Sequence, residues 1–114
     1  MKKLIFYSLI LFGAIQFMSG DLAADMHVLC YHSFLGRDKV EYDFSVAELR
    51  NHMQTLRDHG YKFITLNDLL NKGHGSGREV LITIDDGNRS VYAAYREVFK
   101  PMGIKPVLAI YPDI

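Results

Sequence analysis

The sequence lacks cross-linking cysteines and an excess of either charge. Cys30 is the only cysteine in 114 residues, which excludes an internal disulfide and a zinc cluster built from several cysteines. It lies in an apolar run, and we predict it to be a small buried residue. Thirteen basic side chains balance 13 acidic ones, so the basic stripe that nucleic-acid binding requires is not found. With 49% hydrophobic residues, the chain is predicted to bury a core, as one domain at most.

The amino-terminal apolar stretch is shorter than a membrane-spanning helix. Lys2 and Lys3 precede an apolar run over residues 4–18, and small residues follow, which is the layout of a secretory signal peptide. A spanning helix needs about 20 apolar residues, so an uncleaved anchor is the less favoured alternative. We predict a signal peptide over residues 1–24, cleaved after Gly20 or Ala24, with no membrane span after cleavage. Residues 25–114 would then be exported to the periplasm, the cell surface or the extracellular space.

The sequence does contain a strand-like run that ends in two carboxylates. Residues 80–84 are apolar and rich in β-branched side chains, as in a strand covered on both faces of a parallel sheet. Asp85 and Asp86 follow at the carboxyl end, where such sheets carry their chemistry. Gly87 allows a sharp turn, and Ser90 is predicted to cap the next helix.

Two adjacent carboxylates repel each other, and a bound cation would relieve that repulsion. Because successive strand residues point in opposite directions, one carboxylate can bind a metal while the other accepts a proton. The alternative is an acidic turn, with Asp86 and Gly87 as turn residues and Asp85 capping the following helix.

Predicted strands and helices alternate along the rest of the chain. Short apolar runs predict strands at residues 26–32, 61–64 and 105–111. Helices are predicted between the strands because apolar residues recur there at helical spacing. This order predicts an α/β fold with parallel strands and right-handed crossovers. A closed barrel needs about 250 residues, so the chain looks like the opening part of a larger domain.

Capping residues and helix breakers mark the predicted helix ends. Ser45 and Glu48 form a capping box at the start of the first helix, and Gly60 is predicted to end it. Thr65 begins the second helix by the same logic, and the third helix is predicted to end before Pro101. Three leucines are predicted to form the buried side of the second helix: Leu66, Leu69 and Leu70.

One histidine falls at a predicted strand end. His32 ends the first strand and would share an edge of the sheet with Asp85 and Asp86 if the strands are parallel. The alternative is a histidine that is hydrogen-bonded within its loop. His52 and His59 are seven residues apart, whereas a metal-binding pair on a helix prefers a spacing of four, so we predict surface or edge positions for both.

The segment Thr83-Ile84-Asp85-Asp86-Gly87 closely resembles the Thr-Phe-Asp-Asp-Gly motif of the polysaccharide deacetylases, the NodB-homology enzymes of carbohydrate esterase family 4. Tyr31 and His32 end the first predicted strand, and this Tyr-His pair resembles the end of the first strand in the family branch that acts on poly-N-acetylglucosamine-type polymers. Residues 59–66 and 103–106 also resemble family segments before and after the motif. The resemblance covers essentially all of residues 25–114, as the amino-terminal portion of a deacetylase domain.

The resemblance implies a distorted (β/α) barrel with fewer than eight strands. It also implies a secreted, metal-dependent hydrolase that removes acetyl groups from an N-acetylated polysaccharide. Asp85 would be the general base, Asp86 a metal ligand, and His32 a residue of the substrate-binding rim. The expected cofactor is a divalent metal, zinc in a complete domain, because the family completes the site with histidines.

The sequence departs from the family after the motif. The family supplies two further ligands from a later His-x-x-x-His motif, but no histidine follows His74 here. A catalytic zinc site expects three protein ligands, so this chain is predicted to be inactive alone. Two alternatives stay open: an exported fragment or pseudoenzyme that binds glycan without catalysis, and a phosphatase like the haloacid dehalogenases. The phosphatase chemistry needs two aspartates separated by one residue, whereas Asp85 and Asp86 are adjacent.

Overall fold

A computed structural model of the protein describes residues 26–72 and 77–111. Four strands alternate with three helices over these residues: β1 (His27–Tyr31), α1 (Val46–Asp58), β2 (Lys62–Phe63), α2 (Leu66–Lys72), β3 (Glu79–Asp85), α3 and β4 (Val107–Ala109). Helix α3 joins an α-helical turn at Val91–Ala94, a π-helical segment at Tyr95–Phe99 and a last turn at Lys100–Met102. The predicted α/β class and order of elements are confirmed. The predicted signal peptide, residues 1–24, lies outside the described residues.

Strand β3 is the centre of a four-stranded sheet in which all pairings are parallel. Strand β1 pairs with β3 along its whole length, from His27 opposite Val80 to Tyr31 opposite Ile84. Strand β2 pairs with the beginning of β3, and β4 pairs with its end. The carboxyl ends of β1, β3 and β4 therefore reach the same edge of the sheet.

The core lies between one face of the sheet and helices α1 and α3. Its largest fully buried apolar side chains come from the strands and both helices: Tyr31, Leu49, Met53, Val80, Ile82, Ile84, Val98 and Phe99. On the opposite face of β1, Val28 is 52% exposed and Cys30 is also exposed. The prediction that Cys30 is buried was wrong, because strand alternation places it on the face that these helices do not cover.

The predicted start and end of α1 are confirmed. Ser45 Oγ accepts a hydrogen bond from the Glu48 N–H, and the Glu48 carboxylate accepts one from the Ser45 N–H. After the helix, Gly60 has a φ of 81°, and its N–H donates to the Arg57 carbonyl while the Tyr61 N–H donates to the Leu56 carbonyl. This paired arrangement satisfies carbonyls that a helix end leaves unpaired.

Helix α2 begins as predicted but does not bury the leucines assigned to it. The Thr65 N–H donates to Asp68 Oδ2 at 2.9 Å, and the Asp68 N–H donates to Thr65 Oγ1 at 3.0 Å. Leu66 is 43% exposed and Leu70 is 74% exposed, which corrects the predicted buried side. Helical spacing defines a shared face, but it does not determine whether another element covers that face.

Helix α3 continues past the residue at which it was predicted to stop. Pro101 lies inside the last turn, directly after the π-helical segment. An α-helix would pair the Glu97 carbonyl with the N–H that Pro101 lacks. Arg50 Nη2 donates to that carbonyl instead, at 3.4 Å, and Gly103 then ends the helix with a φ of 70°. Among the helices of residues 26–72 and 77–111, none is long and apolar enough to cross a membrane.

Candidate functional site

The pairing of β1 with β3 brings His32 beside the two aspartates. Since Tyr31 lies opposite Ile84, the residues that follow leave the sheet at the same edge. His32 Nδ1 lies 2.9 Å from Asp86 Oδ2, and their side chains are 35% and 58% exposed. The shared edge expected from parallel strands is therefore present, while the chemical roles of these residues stay predictions.

Asp86 and Gly87 form a left-handed turn directly after β3. Their φ angles are 70° and 63°, a conformation that aspartate tolerates better than most residues and that glycine adopts freely. A Cβ added at Gly87 would lie 3.3 Å from Ile110 Cγ2, so this turn also packs closely against the segment after β4. The turn interpretation of Asp86 and Gly87 is thus correct, and the same turn holds the Asp86 carboxylate against His32.

Asp85, the last residue of β3, lies close to Cys30 and His32. Ligand atoms of these three residues all lie within 4.8 Å of one another, and Cys30 Sγ is 4.0 Å from His32 Nε2. Partial desolvation raises the pKa of the Cys30 thiol; a hydrogen bond with Thr83 acts in the opposite direction, and the Asp85 carboxylate raises it further. His32 therefore lies close to both carboxylates, with Asp86 at its Nδ1 and Asp85 in the group that includes Cys30.

A buried carboxylate that the sequence analysis missed organises the loop between β1 and α1. Asp43 is fully buried and accepts hydrogen bonds from the Ser33 hydroxyl and from the Leu35 and Arg37 N–H groups, the last two at 2.9 and 2.6 Å. Burial alone would raise the pKa of Asp43, but these bonds and the Arg37 side chain outweigh it and lower the pKa to about 2. The sequence signal was a carboxylate between two aromatic residues, directly before a capping box.

Ser90 connects this loop to the segment after the aspartates. Its hydroxyl accepts a hydrogen bond from the Phe34 N–H at 2.8 Å and makes no capping bond to α3. The capping prediction for Ser90 was therefore wrong. Because Ser90 is buried, its hydroxyl satisfies a backbone donor that water does not reach, and it ties the β1 loop to the β3 loop.

An open cleft of about 240 Å³ lies between these two loops. Residues of both loops line it: His32, Ser33, Arg37, Val40, Tyr42, Asp86 and Asn88. The His32 and Tyr42 rings lie 5.5 Å apart, centre to centre, and Tyr42 is 64% exposed. The cleft therefore combines a carboxylate, an imidazole, a guanidinium and an aromatic ring at one opening.

The other described histidines lie away from the cleft. His52 Nδ1 is 3.2 Å from the Tyr31 hydroxyl, and its ring stacks on Tyr31. His59 is exposed, and its Nδ1 lies 2.7 Å from the Thr55 carbonyl. His59 is therefore at the surface, as predicted, and His52 is half-buried at the edge of the core. His74 lies outside the described residues.

The described residues offer carboxylate, imidazole and thiol groups that suit a divalent transition metal. Asp86, the metal ligand that the family resemblance implies, lies at the opening of the cleft with one oxygen bonded to His32. One carboxylate is insufficient for a catalytic zinc, which expects about three protein ligands. A set of three possible ligands in the described chain exists only at Cys30, His32 and Asp85. The donor chemistry fits a metal, but this set differs from the implied one.

The fold of the described residues is found in solved structures of other proteins. IcaB from Ammonifex degensii aligns with a TM-score of 0.64 and 34% identity, over 75% of this chain and 37% of IcaB. A de-N-acetylase from Aggregatibacter actinomycetemcomitans aligns with a TM-score of 0.60 and 22% identity, over 73% of this chain and 36% of its own. The deacetylase PplD from Streptococcus pyogenes, solved in complex with acetate, aligns with a TM-score of 0.61 and 18% identity, over 75% and 42% of the two chains.

The strength of these similarities differs. The chain spans less than half the length of each of the three proteins. The two matches below 25% identity show a shared fold, and the similarity to IcaB extends to the sequence. No protein-family model matches the sequence, and no curated protein is significantly similar to it.

Proposed function

Because this chain has the fold of the NodB-type polysaccharide deacetylases and forms part of such a domain, we propose that it belongs to an exported, metal-dependent hydrolase. The proposed reaction removes acetyl groups from an N-acetylated polysaccharide. The observation that carries this proposal is the position of Asp85 and Asp86 at the carboxyl end of the central strand, with His32 bonded to Asp86.

Asp86 is the proposed metal ligand of the described chain. One of its oxygens accepts a hydrogen bond from His32 Nδ1, which fixes the carboxylate and leaves its other oxygen for the metal. Bonds of this kind to ligating groups hold them in orientation and tune their basicity. In this proposal His32 is a positioning residue, and it lines the cleft.

Asp85 is the proposed general base. A divalent metal, when bound, polarises the acetyl carbonyl and lowers the pKa of water. The Asp85 carboxylate accepts the proton of the attacking water as the new C–O bond forms, and returns a proton to the nitrogen as the C–N bond breaks. The products are acetate and a free amine on the sugar. Asp85 is suited to this because it is half-buried at a fixed strand end.

The cleft supplies a surface on which a sugar can bind. Tyr42 presents an exposed ring beside His32, and aromatic rings offer sugars an apolar face. The Arg37 N–H and side chain are held by Asp43, so the loop that carries both residues is anchored to the buried carboxylate. The proposal further requires metal ligands besides those of this sequence, because Asp86 alone does not complete a zinc site.

The test expresses the complete reading frame that contains this chain and measures acetate release from an N-acetylglucosamine oligomer together with bound metal. Asp85→Asn is expected to lower the rate by about 10²–10⁴-fold, the range for loss of a general base, while metal stays bound. Asp86→Asn is expected to lose metal and activity together. Asp58→Asn, an exposed carboxylate on α1, is the control and should change neither.

Two results contradict the proposal. If Asp85→Asn and Asp86→Asn retain equal amounts of metal, the two roles are assigned wrongly. If the wild-type protein binds metal and oligomer but releases no acetate, the second candidate function, glycan binding without catalysis, replaces the first. The observation that favours this second candidate is the exposed Tyr42 ring beside His32 in the cleft, which can bind a sugar without a metal.

A further inference from the structure

Three different kinds of ligand atom meet beside the Asp86 turn. Cys30, His32 and Asp85 each offer one such atom, and all three atoms lie within 4.8 Å of one another. We propose that these residues form a site for a thiophilic divalent cation of the zinc class, distinct from the position that Asp86 has in the deacetylase proposal. The three residues are called the thiol site below.

The spacing of the ligand atoms suits a tetrahedral ion. Zinc lies about 2.3 Å from sulfur and about 2.0 Å from nitrogen, which places the two ligand atoms about 3.5 Å apart at a tetrahedral angle. Cys30 Sγ and His32 Nε2 are 4.0 Å apart, so a side-chain movement of about half an ångström closes the gap between these two atoms. The Asp85 oxygen lies within 4.8 Å of both, and its side chain must also move toward the ion. Cys30 is exposed, which leaves a path for the ion.

Asp86 orients the imidazole of the thiol site. Its Oδ2 accepts the hydrogen bond of His32 Nδ1 at 2.9 Å, so the Nδ1 atom carries the proton and the Nε2 lone pair is available on the side of Cys30. Histidines that bind metals usually donate their other N–H to a carboxylate or carbonyl in this way. The His32–Asp86 bond is therefore already in the arrangement that a bound ion would need.

The ligand set selects the class of ion. A thiolate with an imidazole and a carboxylate favours zinc and similar transition metals, whereas magnesium and calcium prefer oxygen ligands alone. On binding, the Cys30 thiol releases its proton to solvent and the sulfur–metal bond forms. The backbone that holds the ligands is rigid, since Cys30 lies within β1 and Asp85 ends the strand paired with it.

This inference does not depend on the deacetylase proposal. An ion in the thiol site occupies the carboxylate of Asp85, which the deacetylase proposal assigns to proton transfer. The two uses of Asp85 therefore exclude each other. We expect that excess zinc, by binding the Asp85 carboxylate in the thiol site, prevents it from acting as the general base.

The test titrates the full chain with Co²⁺ under reducing conditions and records the absorption of a cobalt–thiolate bond. We expect this absorption for the wild type, its displacement by Zn²⁺, and no displacement by Mg²⁺. Cys30→Ser should abolish the cobalt–thiolate absorption. His32→Gln and Asp85→Asn each remove a ligand, so both should weaken cobalt binding by more than the roughly 10–100-fold that is lost when a residue behind a ligand is replaced. Asp86→Asn, acting through His32, should weaken it about tenfold. His59→Gln is the matched control and should leave it unchanged, and circular dichroism verifies folding.

Other results overturn the inference. No thiolate absorption from the wild type, or absorption that persists in both His32→Gln and Asp85→Asn, excludes the thiol site. Cobalt binding that is lost in Asp86→Asn but unchanged in Cys30→Ser also excludes it, and at the same time supports the metal role of Asp86 in the deacetylase proposal.

Discussion

Asp43 and Asp86 lie in neighbouring loops at the same end of the sheet, and the chain uses these two carboxylates differently. Asp43 is fully buried and accepts hydrogen bonds from Ser33, Leu35 and Arg37. Asp86 is 58% exposed and bonds to His32 at the opening of a cleft. The Asp43 carboxylate is surrounded by hydrogen-bond donors of its own loop, whereas the Asp86 carboxylate is exposed enough to bind a ligand from solvent.

The difference shows why a perturbed carboxylate is not by itself a functional marker. The pKa of Asp43 is lowered to about 2 because donors of its own loop outweigh its burial, and that is a structural property of the loop. Asp86 lies at a strand end, in a left-handed turn, beside a histidine from another strand. The two carboxylates differ in their position and in their exposure to solvent. The same substitution, aspartate to asparagine, is therefore expected to have different effects at the two positions.

The largest expected effect is that of Asp43→Asn on stability. The amide leaves N–H groups of Leu35 or Arg37 facing another donor in a buried site, which costs about 3 kcal/mol of the free energy of unfolding. Urea unfolding measures this as a lower midpoint at an unchanged slope. Asp38→Asn, an exposed carboxylate in the same loop, is the control. If Asp43→Asn lowered the free energy of unfolding by less than about 0.5 kcal/mol, as an ordinary surface substitution does, the structural role assigned to Asp43 would be wrong.

The next effect is a loss of stability in acid. The folded-state pKa of Asp43, about 2, lies below the ordinary aspartate value of 3.8, so the unfolded state binds the proton first as the pH falls. The stabilisation is therefore complete above about pH 5 and is lost between about pH 4 and pH 2, by about 2 kcal/mol. Urea midpoints of the wild type and Asp43→Asn measured across this range should converge. A constant difference down to pH 2 would show that the charge of Asp43 contributes nothing.

The smallest effect is that of Asp86→Asn on stability. A half-exposed pair of this kind contributes about 0–1 kcal/mol, and asparagine tolerates the left-handed backbone as well as aspartate does. Urea unfolding should therefore place the variant within about 0.5 kcal/mol of the wild type. If Asp86→Asn destabilised the protein as much as Asp43→Asn, the distinction between the two loops would not hold.

The fold was predictable where short-range patterns determine it. The capping box of Ser45 and Glu48 formed as predicted, because both bonds join residues three apart. The ends of β1 and β3 were predictable from apolar runs, and parallel pairing then placed His32 beside Asp86. These predictions depend on periodicity and on neighbouring residues alone.

Side-chain contacts that depend on how the loops and helices pack were not predictable. Whether Cys30 is buried depends on which face of β1 the helices cover, and that is set by packing. The Ser90 hydroxyl accepts from Phe34, 56 residues away, although its sequence context favours a helix cap. The Ser33–Asp43 bond likewise depends on how the loop folds back on β1. In each case the local pattern allows several partners, and tertiary structure selects one.

The parallel pairing of β1 with β3 also has a kinetic consequence. His32 and Asp86 are 54 residues apart in sequence, and contacts of such separation form late because a long loop must close first. At ribosomal rates of about 5–20 residues per second, β1 waits roughly 3–10 seconds before β3 has been synthesised. During that interval β1 lacks β3, the strand that it pairs with in the described part of the chain. The His32–Asp86 bond therefore reports that the central strand pair has formed.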